Sequence, residues 1–138
     1  MNSRIKWIEG ASWMAESGSG HAVVLDGSPE MGGHNLGMRP MEMVLLGLGG
    51  CSAMDVLNIL HKSRQNLSDC VIEINAKRTD AIPAVFTDIH LHYVITGTDL
   101  KPKRVEQAIN LSAEKYCSVS KMLGHSVHIS HDYELLEV

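Results

Sequence analysis

Hydrophobic and polar positions alternate with a period of two at both ends of the chain and lose that period in the middle. Residues 4–9 and 11–16 read as two short strands around Gly10, and His21 to Asp26 as a third. The cluster Ser17-Gly18-Ser19-Gly20 is a turn, and residues 27–37, rich in glycine with a proline and an asparagine, are a loop. Pro40 suits the first turn of a helix, where its missing N–H removes nothing, and Glu42 favours the positive end of the helix dipole. The helical pattern runs from there to about Arg64. Strands follow at Cys70 to Lys77 and Phe86 to Ile95. In the second, Ile89, Leu91, Tyr93 and Ile95 share one face, and Asp88, His90 and His92 the other. Residues 102–116 form a helix with Val105, Ala108, Ile109 and Ser112 on one stripe, Ser118 to Leu123 a brief helix stopped at Gly124, and Val127 to Leu135 a closing strand. The order β-β-β-α-β-β-α-α-β predicts an α+β fold with a largely antiparallel sheet over long helices.

The central helix is the anomaly. Met43 to Met54 is an uncharged run of twelve residues, bracketed by Glu42 and Asp55. It falls short of the roughly 18 apolar residues that argue for a membrane span, so no membrane is expected as a partner. Gly47, Gly50 and Cys51 make a notch on one side, where another backbone can approach closely. Each mid-helix glycine costs about 1 kcal/mol against alanine, which a packing or functional role must offset. A helix apolar on all sides needs cover on all sides, more than one small sheet supplies, so a second subunit is expected.

With 138 residues the chain is expected to be one domain spanning 1–138. Its net charge of −4 leaves no basic stripe for a phosphate backbone, so nucleic acid is not an expected partner. The start, MNSRIKWIEG, lacks the apolar core of a secretory signal, and three cysteines without an export signal fit a reducing cytoplasm.

The cysteines carry the chemistry. Cys70 lies on a strand face with Ile72 and Ile74 and reads as a small buried hydrophobe. Cys117 sits at the start of the brief helix, where unpaired backbone N–H groups lower a thiol pKa. Cys51, in the apolar helix, is either packing or a reagent that requires a cation or donor nearby. The histidines do not make a metal site. His90 and His92 fall on a wet strand face, and His128 points away from His125 and His131 on a strand. No metal and no cofactor is expected; dinucleotide-loop spacing and a GxSxG elbow are absent.

Two stretches resemble a known family. Arg39 to Val56 (RPMEMVLLGLGGCSAMDV) is similar to the first-cysteine helix of the OsmC/Ohr family of bacterial thiol peroxidases. Ala113 to Ser120 (AEKYCSVS), 66 residues on from cysteine to cysteine, resembles its second-cysteine segment with the Cys-x-x-Ser pattern. The resemblance implies an OsmC-like fold and an intertwined homodimer, with sheets wrapped around long central helices. It also implies reduction of an organic hydroperoxide by Cys51 as nucleophile, with Cys117 as resolving thiol and a dithiol as reductant. The family's first thiol is activated by an arginine from the N-terminal hairpin region, held by a glutamate directly after the proline. Here residues 7–38 contain no arginine and Met41 follows Pro40, so Glu42, one step later, is the candidate polar partner. The alternative is a binding module without turnover, its interface pocket lined by Met41, Met43 and Met54.

Overall fold

A computed structural model describes all 138 residues, Met1 to Val138. The expected order of elements is found throughout. Strands β1 (Ser3–Glu9), β2 (Ser12–Ser17) and β3 (Ala22–Leu25) precede helix α1 (Pro40–Lys62). Strands β4 (Asn66–Arg78) and β5 (Phe86–Thr98) follow, then α2 (Pro102–Leu111), a π-turn (Ser112–Tyr116), α3 (Ser118–Leu123) and β6 (His128–Glu137). Contacts divide the chain into two units, Met1–Leu46 and Gly47–Val138.

The first unit is an antiparallel meander in the order β1-β2-β3. Its loop 27–37 is organised by Asp26, which is only 2% exposed. The carboxylate accepts backbone N–H bonds from Gly27 at 2.8 Å and from His34 and Leu36 at 3.1 Å each. Those amides, Leu36 foremost, hold its pKa below the ordinary carboxylate value against the opposing effect of burial. A side chain at Gly33 or Gly37 would run into the backbone of Gly27 and Val24 respectively, so the loop requires glycine there. α1 opens within this unit. Arg39 precedes Pro40, and Glu42 Oε1 accepts the Arg39 backbone N–H at 3.0 Å, the glutamate half of a capping box.

In the second unit β4, β5 and β6 form one sheet in that order. β4 and β5 pair antiparallel, but β5 and β6 run parallel, from Asp88 opposite His128 to Gly97 opposite Glu137. The helical segment between them supplies the crossover that a parallel neighbour requires. The sheet here is therefore mixed. β4 begins at Asn66, four residues before the alternating run at Cys70. The polar start Asn66 to Asp69 pairs with the end of β5 across an irregularity between Leu67 and Asp69. Gly97 is required opposite it, since a Cβ there would collide with the Asn66 carbonyl oxygen.

The inward face of β5 is the one its alternation predicts: Ile89, Leu91, Tyr93 and Ile95 are all buried. Leu48, Val56 and Leu60 of α1 and Val105, Ala108 and Ile109 of α2 are the other fully buried apolar residues of this unit's helices. Each such burial is worth roughly 1.5–3 kcal/mol relative to exposure. α1 is covered on one side only. Gly49 faces Ile74, whose Cδ1 lies 2.6 Å from where a Cβ would stand. The opposite stripe, Leu46, Met54 and Leu57, is 55%, 75% and 40% exposed, and nothing lies within 4 Å of a Cβ built at Gly47 or Gly50. By length and composition alone the helix is able to cross a membrane. Its Ser52 hydroxyl is buried and hydrogen-bonded to Tyr93 and Ser112.

Candidate functional site

The two cysteines singled out from the sequence meet in the second unit. Cys51 Sγ, Cys117 Sγ and a carboxylate oxygen of Asp55 all lie within 4.8 Å of one another. Both cysteines are free thiols; Cys51 is half-buried and Cys117 buried. Cys51 and Asp55 are four residues apart, which stacks them on one face of α1 one turn from each other.

Cys117 reaches this place through the π-turn. The predicted helix 102–116 stays α-helical only to Leu111. The Cys117 N–H then bonds the Ser112 carbonyl five residues back, at 2.8 Å. One extra residue in the turn rotates the downstream chain by about 100° relative to a continued α-helix. Cys117 leaves the helix with extended backbone and becomes the N-cap of α3, its sulfur accepting the Ser120 N–H at 3.4 Å. The N-cap position is as predicted, but the acidic shift expected from it is not. Burial pushes the Cys117 thiol above the ordinary range, and proximity to Cys51 adds to that. The hydroxyl and N–H of Ser120 act the other way and are outweighed. Two donors from a six-residue helix do not overcome a nearly dry site.

Behind the thiols runs a chain of hydroxyls that the sequence reading missed. The Tyr93 hydroxyl is hydrogen-bonded to Ser52 Oγ, and Ser52 Oγ lies 3.1 Å from Ser112 Oγ. Ser112 donates to Asp55 Oδ2 at 3.2 Å. Tyr93, Ser52 and Ser112 are each at most 1% exposed, and no buried side-chain nitrogen or oxygen lacks a partner. Burial, the largest effect, raises the Tyr93 pKa, so the phenol stays protonated and available as a donor. The signals were present: Ser52 follows Cys51, Asp55 lies one turn beyond it, and Ser112 was placed on the buried stripe of its helix. What the sequence does not show is that β5 turns Tyr93 toward the same spot.

The third predicted site residue, Glu42, has its carboxylate on the Arg39 amide at the start of α1. Arg39 Nη1 donates to the Gly37 carbonyl at 3.0 Å. Cys70 is half-buried beside Ile72 and Ile74 on β4, with its pKa raised by burial and by Asp69. His90 and His92 line a cross-strand ladder with Ser130, Asp132 and Glu134. Asp132 Oδ1 lies 2.8 Å from His90 Nε2 and 2.7 Å from His92 Nδ1. His131 turns to the other face and lies 3.0 Å from Asn110 Oδ1, so the histidines at 125, 128 and 131 do not converge.

The chain is similar over nearly its whole length to known proteins. The OsmC-like protein family model matches residues 33–132. The chain belongs to the OsmC-like protein family. It is 46% identical over 136 residues to Protein YhfA of Escherichia coli (strain K12), covering 99% of this chain and 98% of that one. A solved hypothetical protein of Aquifex aeolicus VF5 is 31% identical, with a TM-score of 0.82 and coverage of 97% and 96%. A Legionella pneumophila organic hydroperoxide resistance protein OsmC shares the fold at 18% identity, with a TM-score of 0.70 and coverage of 100% and 98%. The OsmC-like fold expected from the two cysteine segments is therefore present.

Proposed function

We propose that this OsmC-like protein reduces organic hydroperoxides through Cys51 and Cys117, as a homodimer in a reducing, cytoplasmic setting. The observation that carries the reading is the pair of free thiols, one half-exposed and one buried, whose sulfurs lie within 4.8 Å. The name of the Legionella relative, hydroperoxide resistance, points the same way.

The half-buried Cys51, as thiolate, attacks the distal oxygen of the peroxide. The O–O bond breaks, Cys51 becomes a sulfenic acid and the alkoxide leaves as an alcohol after taking a proton. The Cys117 sulfur then attacks the sulfenic sulfur, forming the disulfide. The hydroxyl departs as water with the proton that Cys117 gives up, and a raised Cys117 pKa means that this proton is present when needed. Closing from 4.8 Å or less to a bond of about 2.05 Å asks for side-chain and modest backbone movement. A dithiol reopens the disulfide and is itself oxidised, which completes the cycle. The exposed apolar stripe of α1, with its two open glycines, supports the homodimer.

Purified protein supplied with an alkyl hydroperoxide and a dithiol is expected to consume the peroxide, and Cys51→Ser to stop it. Equal consumption by wild type and Cys51→Ser overturns the reading. A second reading, capture of a small apolar ligand without turnover, draws on a cavity of about 320 Å³ in the first unit, lined by Ile5, Ala15, Val23 and Met43 among others. Ligand-dependent stabilisation of a peroxide-inert protein favours that one.

A further inference from the structure

We propose that Cys51, Asp55 and Cys117 form a binding site for a soft divalent cation of the zinc type. Three donors of the right kind already converge, each pair of ligand atoms within 4.8 Å. Zinc holds thiolate sulfur at about 2.3 Å in a tetrahedron, which sets sulfur–sulfur separations near ~3.7 Å. The donors therefore have to close by about 1 Å at most, within reach of side-chain torsions at half-buried Cys51 and Asp55. The ligands come from two rigid places: one turn of α1 supplies Cys51 and Asp55, and the π-turn sets Cys117 opposite them.

Charge argues for the same occupant. On binding a cation the two thiols give up their protons, and the resulting thiolates with the Asp55 carboxylate carry three negative charges beside neutral donors, Ser112 to Asp55 and Ser120 to Cys117. A divalent cation cancels most of that charge, and the two sulfurs select a soft one over magnesium or calcium. The polar chain behind the site has the form of an outer ligand shell. Ser112 fixes the Asp55 carboxylate, Ser52 and Tyr93 fix Ser112, and the carboxylate is thereby oriented before any ion arrives. Three protein ligands leave a fourth position for water, as in catalytic rather than structural zinc sites. An ion held there occupies both sulfurs. Loading therefore blocks disulfide formation between Cys51 and Cys117, a consequence that rests on the proposed peroxide chemistry, whereas the binding itself does not.

Cobalt(II) serves as the probe, since it takes zinc's geometry and reports thiolate ligation by near-ultraviolet charge-transfer absorption. Reduced, chelator-treated full-length protein is expected to bind one cobalt per chain with that absorption, and zinc to displace it. Cys51→Ser and Cys117→Ser each lower the absorption, Asp55→Asn weakens affinity at least tenfold, and Cys70→Ser changes none of these. A wild type that binds cobalt without thiolate absorption, or an Asp55→Asn variant of unchanged affinity, overturns the site. The titration involves no peroxide turnover, so an inert enzyme with intact metal binding, or an active one without it, separates the two proposals.

Discussion

The notch on α1 gives a prediction whose sign depends on whether a second copy packs there. Gly47→Ala and Gly50→Ala place methyl groups where nothing lies within 4 Å, on the stripe that also exposes Leu46, Met54 and Leu57. Inside one protomer the only effect is helix propensity, a gain of about 1 kcal/mol per substitution and about 2 kcal/mol for the pair. That gain is present in free and paired protomers alike, so it cancels from the dissociation constant. A methyl forced into a close helix–helix approach costs about 1–3 kcal/mol, and two-fold symmetry counts the cost twice. The double variant is thus expected to be a more stable protomer and a worse dimer, its dissociation constant raised roughly thirtyfold or more. Gly49→Ala is the internal control. Its methyl meets Ile74 Cδ1 at 2.6 Å within the protomer, so it changes folding stability without a selective effect on association. Sedimentation equilibrium over a concentration series, with urea unfolding of the same samples, reads both quantities. A double variant that gains stability and keeps the wild-type dissociation constant refutes the notch as the place of approach, and a wild type that is monomeric throughout refutes the dimer.

The hydroxyl chain predicts an asymmetry in urea unfolding. Ser52→Ala strands the buried Tyr93 hydroxyl and is expected to cost about 1–3 kcal/mol, whereas Tyr93→Phe leaves Ser52 bonded to Ser112 and costs about 1 kcal/mol; equal losses contradict the network. At the histidine ladder, Asp132 and then Glu134 hold the His92 pKa above 6.5. Its stabilising effect is therefore full below pH 6.5 and is lost as pH rises through the higher folded value. An NMR titration of His92 should move back toward its ordinary value in Asp132→Asn. Because burial raises the Cys117 pKa, alkylation mapped by mass spectrometry should leave Cys117 largely unmodified at neutral pH and accelerate only above the ordinary thiol range. Rapid neutral-pH labelling of Cys117 in folded protein contradicts that burial.

Most of the fold was legible because each element announces itself locally. The alternation of β5 named its buried face residue by residue, and Pro40 with its nearby acid marked the start of α1. The misses have a common cause, in that they depend on how distant segments meet. Nothing between 102 and 116 marks the change from α to π, yet that one-residue insertion aims Cys117. The parallel pairing of β6 follows from the path of the crossover, which strand periodicity does not carry. Asp55 was read as the end of an apolar run because its partners, Ser112 and Cys117, lie some sixty residues further along the chain. The acidic shift expected for Cys117 treated the helix cap as dominant, when burial outweighs it.

Whether the two thiols act as one redox pair is tested most directly by a single-turnover reaction. Reduced, metal-free protein is mixed with one equivalent of an alkyl hydroperoxide and no reductant, quenched with an alkylating agent in denaturant and mapped by peptide mass. The expected product joins the Cys51 and Cys117 peptides through a disulfide with Cys70 still alkylated, while Cys117→Ser stops at a sulfenic acid on Cys51. Recovery of both thiols fully alkylated, with the peroxide unconsumed, contradicts the redox pair.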